Sequence, residues 1–136
     1  MVRVFLSEIY THIFYVQHEG TVTAEDDECY WEDYLKPFMN THRNIVFIIE
    51  FLPGSMIIDP QVFETSDMDV FDPNRQLRKM IYIGLVGIQR SFMRTYIKAF
   101  PLKAVEHIIY DHFSEFENDY SIHLETDFRC VFQHGN

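Results

Sequence analysis

The residues best suited to chemistry cluster in one stretch of the second half of the chain. Gly84-Leu85-Val86-Gly87 reads as a turn from a strand into a helix. Backbone amides exposed at such a helix start can hold an anion. The same glycines serve equally well for a tight turn and close packing, and neither a Walker Lys-Ser/Thr pair nor a complete GxGxxG accompanies them. Arg90, Arg94 and Lys98 follow at intervals of four, a basic stripe that suits an acidic partner or a phosphate group. A solvated helix face has the same pattern. The acidic run Glu25 to Asp33 complements the stripe, so self-association through these two elements is one expectation.

A second candidate is aromatic. Tyr30, Trp31, Tyr34 and Phe38, with Phe92 and Tyr96, can line a pocket for a small apolar ligand, although such a set also builds ordinary core. The seven histidines, His12, His18, His42, His107, His112, His123 and His134, show no ligand spacing such as HExxH. They are expected on the surface or as satisfied core groups, and no metal or other cofactor is expected. Pro53-Gly54-Ser55 follows a strand, but the GxSxG elbow is incomplete, so Ser55 lacks the setting of a nucleophile. Asp67 and Asp69 read first as part of a solvated acidic loop. Cys29 and Cys130 make no CxxC unit and are expected as free thiols, one on a helix and one in a strand or tail. No catalytic set emerges.

The whole-chain properties narrow the classes of partner. With 136 residues and 47% hydrophobic content, one domain can bury a core without staples. The formal net charge of -10 repels phosphate backbones and anionic membrane surfaces, so nucleic-acid binding is disfavoured. The first residues lack the apolar stretch of a signal peptide, and no apolar run reaches the roughly 18 residues a membrane span needs. The cytoplasm is therefore the expected compartment.

These side chains must be positioned by alternating strands and helices. Val2 to Leu6 and Ile9 to Gln17 read as strands, with Gly20 breaking the second. Thr23 and Asp26 approach a capping box for a helix carrying Tyr30, Trp31, Tyr34, Leu35 and Phe38, which Pro37 should kink or end. Asn44 to Phe51 is the clearest strand, nearly continuous in apolar residues as a strand covered on both faces should be. Asp59-Pro60 opens a short helix to about Met68, and Asp72-Pro73-Asn74 marks another loop or helix start. Arg78 to Leu85 is a strand. Ile88 to Phe100 is a helix with Ile88, Phe92 and Tyr96 on its apolar side, stopped by Pro101. Ala104 to Tyr110 is expected as a final central strand, and Ser114 with Glu117 as a capping box for a helix to about Leu124. The tail from Asp127 to Asn136 can add an edge strand through Phe128, Cys130 and Phe132. The expected fold is α/β, a mixed central sheet of 4–6 strands with helices packed mainly on one face.

From about residue 9 to 124 this order resembles the STAS superfamily, nearest its small bacterial SpoIIAA-like group. The likeness rests on the strand, glycine and helix of Ile9 to Met39, the apolar strand before Asp59-Pro60, the segment RKMIYIGLVGIQRSFMRTYIKAF, and the closing HIIYDHFSEFENDYSIHL. It implies a non-enzymatic regulatory or ligand-binding domain, often a homodimer, that meets a protein partner or a small apolar or anionic ligand. One departure stands out. Anti-sigma-factor antagonists carry a phosphorylatable serine where this chain reads Met56-Ile57-Ile58-Asp59-Pro60-Gln61, with Ser55 too early and Thr65-Ser66 too late. A small hydrolase or isomerase using Ser55, Asp59 or a histidine is the alternative, and a structural subunit of a larger assembly is the third reading.

Overall fold

Strand-forming runs rich in Val, Ile and Phe dictate the centre of the molecule. The computed structural model describes residues 1–58, 76–99 and 104–135. The expected helix at Asp59-Pro60, the Asp72-Pro73-Asn74 loop, and Thr65, Ser66, Asp67 and Asp69 lie outside the described residues. Among the described residues the strands are β1 (Val2–Leu6), β2 (Ile13–His18), β3 (Thr21–Val22), β4 (Ile45–Phe51), β5 (Met56–Ile57), β6 (Leu77–Ile83), β7 (Glu106–Tyr110) and β8 (Arg129–His134). The helices are α1 (Ala24–Glu28), α2 (Lys36–Thr41), α3 (Ile88–Ala99), α4 (Phe113–Tyr120) and α5 (Leu124–Asp127), with a π-helical turn at Trp31–Leu35 before α2.

Six strands form one mixed sheet in the order β7-β6-β4-β2-β1-β8. β2, β4, β6 and β7 are parallel, while β1 runs antiparallel to both β2 and β8. This is the expected mixed α/β sheet, with the tail supplying the edge strand. The two clear apolar runs, β4 and β6, lie side by side as adjacent inner strands, Ile48 opposite Ile81.

Chain direction explains the layering. The connections from β2 to β4 and from β6 to β7 step one way across the sheet. The connection from β7 to β8 returns across its whole width. Crossovers between parallel strands are right-handed, so the outward steps place α1, α2 and α3 on one face and the return places α4 and α5 on the other. Two cores result. The first packs Phe14, Phe47, Ile49, Met80 and Tyr82 of the sheet against Tyr30, Leu35, Phe38, Met93 and Tyr96. The second packs Ile13, Tyr15, Ile48, Ile81 and Ile83 against Phe116, Ile122 and Phe128. Most of the helical cover lies on the first face.

Several local expectations need correction. The second strand starts at Ile13 rather than Ile9, because the Ser7 hydroxyl accepts hydrogen bonds from the amides of Ile9 and Tyr10, each at 3.0 Å, and holds a turn there. Pro37 does not end its helix. It sits in the first turn of α2, where its missing N–H is tolerated, and the preceding π-turn absorbs the disruption, with the Lys36 amide donating to the Trp31 carbonyl. Thr23 and Asp26 do form a capping box, at 3.1–3.2 Å. β7 is an edge strand rather than a central one, since the chain turns back after it. The last long helix begins at Phe113, because Glu115 reaches back to the His112 amide at 3.0 Å, and it ends at Ser121, which adopts a left-handed conformation. Ser114 and Glu117 therefore do not cap it. Helix α3 buries Met93 and Tyr96, while Ile88 and Phe92 face outward; Ile88 and Phe92 share a stripe one position round from the buried one. Gly84 holds φ +89°, and a Cβ on it would lie 2.1 Å from the Phe51 carbonyl oxygen.

Candidate functional site

The residues singled out above fall in different places. Gly84 is required by the close approach of the β4 and β6 ends, which accounts for the first glycine of the turn. Arg90 is ion-paired with Asp111, whereas Arg94 and Lys98 are exposed on α3. Tyr30 and Tyr96 belong to the core, Trp31 and Tyr34 pack against it, and Phe92 is exposed. The aromatic set therefore does not share one surface. The rings of Phe14 and Tyr30 lie 6.0 Å apart and those of Tyr34 and Phe132 lie 4.9 Å apart, contacts of packing rather than of a lined pocket. Ser55 donates its hydroxyl to the His18 carbonyl at 3.2 Å, a contact that ties a loop. Cys29 and Cys130 are both free thiols, and burial pushes the Cys29 thiol up to about 11, with Asp26 and Asp27 adding to it. Among the described residues no group of three His, Cys, Asp or Glu side chains is placed to hold a metal.

The molecule instead gathers polar groups at the carboxyl ends of β2 and β4, on the face covered by α4 and α5. A cleft of ≈ 560 Å³ opens there, floored by Gln17 and Glu50 and walled by Phe113, Glu117, His123, Leu124, Glu125 and Thr126. The carboxyl ends of parallel strands are where open α/β sheets place their ligands, because the connecting segments splay apart beyond the strand ends. Strand alternation sends Gln17 and Glu50, paired across the ladder, to this side.

Glu50 is 8% exposed, so its carboxylate needs partners. The Tyr15 hydroxyl donates to Oε1, and so does the Gln17 side-chain amide at 3.1 Å. Gln17 is oriented in turn by Arg3, whose guanidinium donates to the Gln17 Oε1 at 3.2 Å and pairs with Glu19 at 2.9 Å. Both hydrogen bonds to Glu50 thus land on one oxygen. Oε2 accepts none among the described residues, and Glu50 lines the cleft. The Tyr15 phenol is held far above its ordinary value, first by burial, then by the charge of Glu50 and the hydrogen bond to it, and further by Glu117. At the rim, His123 Nδ1 lies 3.3 Å from a Glu117 carboxylate oxygen.

Apart from His123, the residues of this cleft are not among the candidates that the sequence presents. Its signal was one carboxylate, Glu50, in the otherwise apolar run Ile45 to Phe51. A charged residue in a strand covered on both faces demands an explanation. The helix-borne residues gave no comparable sign.

Fold and cleft together define a mixed-sheet α/β domain with helices on both faces and a polar pocket at the strand ends. Among known proteins, no family model, no curated protein and no solved structure matches the chain. Among the described residues no helix is long and apolar enough to cross a membrane.

Proposed function

We propose that the protein is a non-enzymatic regulatory module of the STAS kind that binds a small ligand in the cleft between β2, β4 and the α4–α5 pair. The observation that carries this reading is the buried Glu50, which lines the cleft and is held by Tyr15 and Gln17 on one oxygen with no described donor on the other. A carboxylate loses several kcal/mol of solvation on burial. A strand selected for stability alone would carry an aliphatic residue there, so a polar group retained at this position points to binding. The STAS part of the reading rests on the element order, two strands, then helices alternating with parallel strands. The proposed setting is the cytoplasm, which suits two cysteines left as free thiols.

The test is native mass spectrometry of the purified protein beside a thermal-shift screen of small metabolites. A retained small molecule, or hits that raise Tm and are lost in Glu50→Gln, supports the reading. No retained molecule and no hit counts against it.

The pair His123 and Glu117 at the rim favours a second reading, a small isomerase or hydrolase using them for acid–base work. Turnover in an activity screen that His123→Ala abolishes would establish it over the first.

A further inference from the structure

The charge pattern of the cleft narrows its ligand. Glu50 forms no ion pair among the described residues: its partners are the neutral Tyr15 and Gln17. Arg3 is within reach of the network but is engaged by Gln17 and Glu19. Buried charges are normally matched by an opposite charge, and at Glu50 the match is missing. Two more carboxylates, Glu117 and Glu125, stand on the same walls, and among the described residues that line the cleft there is no Lys or Arg. Phe113 and Leu124 supply apolar surface beside these acids, and an aromatic face attracts a cation.

From the unpaired Glu50 carboxylate, the two further acids and the adjoining Phe113, we infer that the cleft binds a small organic cation, an alkyl amine or guanidinium with a short apolar chain. The inference rests on the cleft being the ligand site proposed above. A cationic nitrogen donates to Glu50 Oε2 at the floor, and its alkyl chain lies on Phe113 and Leu124 towards Glu125 at the rim. The anionic surface of the whole molecule, with net charge -10, draws such a ligand in.

Isothermal titration of the full chain with 1,5-diaminopentane and with agmatine tests this, with 1,5-pentanediol and Mg²⁺ as comparisons. The expected result is saturable binding of at least one amine. It should weaken at least tenfold in Glu50→Gln and severalfold in Glu125→Gln, a rim variant that leaves the core untouched, with no binding of the diol. Equal affinity in wild type and both variants, or no amine binding at millimolar concentration, overturns the inference. Preference for Mg²⁺ also overturns it, in favour of a metal site. Binding of the diol but not the amines overturns the cationic ligand while leaving the cleft as a ligand site. If none of the four probes binds and the metabolite screen is also silent, both readings fall.

Discussion

Two neighbouring rungs of the β2–β4 ladder face opposite ways and have opposite characters. Gln17 stands across from Glu50, and His18 across from Phe51. On the α1–α3 side, the His18 ring stacks on Phe51 with centroids 5.2 Å apart, and its buried Nδ1 has no hydrogen-bond partner among the described residues. Burial pushes the imidazole down to about 4, with Asp26 offsetting part of the effect. On the α4–α5 side, the buried Glu50 has two donors on one carboxylate oxygen, none described on the other, and lines a cleft. One residue along a strand is thus enough to pass from an apolar side packed into the main core to a side with a polar cleft, the one proposed for binding.

Substitutions on the two sides should separate them. The largest effect is expected from Phe14→Ala on the apolar side. Phe14 is fully buried, with ring contacts to Phe38 at 5.2 Å and Phe47 at 5.4 Å. Its loss should lower the unfolding free energy by about 3–5 kcal/mol in urea denaturation. A loss below about 1 kcal/mol would mean that this side is not the structural one.

Next comes acid. The folded pKa of His18, about 4, lies below its ordinary 6.5. Between these values the unfolded state binds the extra proton, so stability falls as pH drops from about 6.5 to 4 and is unaffected by this group above that window. The full loss is about 3 kcal/mol. Denaturation of wild type and His18→Phe at pH 7 and pH 4 isolates it: the difference between the two proteins should change by that amount.

Gly84→Ala should destabilise by at least about 2 kcal/mol, since the residue combines a positive φ with backbone contact. Thermal unfolding reads this directly, and an unchanged Tm would show that the β4 and β6 ends can separate.

The smallest expected effect on stability belongs to the other side. Glu50→Gln keeps an acceptor for Tyr15 and removes a buried charge, so the unfolding free energy should change by no more than about 1 kcal/mol. A loss of 3 kcal/mol or more would make Glu50 a structural residue and remove the contrast.

The legible parts of the sequence were those in which local preference and burial agree. The runs of β4 and β6 are apolar on both faces because helices cover both, and Thr23 with Asp26 marks its helix start by side-chain chemistry alone. The tail strand was visible in the alternation of Phe128, Cys130 and Phe132, although its register slips at Val131, the extra residue of β8 opposite Val4 and Phe5 of β1. What escaped depends on partners distant in sequence or on atoms that composition does not reveal. The two-residue ladder of β3 and β5 exists only because the chain returns to pair Val22 with Ile57. The outward turn of Phe92 follows from which of two adjacent stripes on α3 meets the sheet. The cleft joins Gln17 and Glu50 to residues 113–126, which are brought together by the return crossover.

Protein-observed NMR with a small-fragment library tests the central claim most directly, because it reads where ligands bind without presuming their chemistry. The account predicts amide shifts concentrated at Gln17, Glu50, Phe113, Glu117 and residues 123–126, with His18 and the α1–α3 side quiet. Ligand shifts confined to the α1–α3 side, or a cleft that no fragment perturbs, would contradict it.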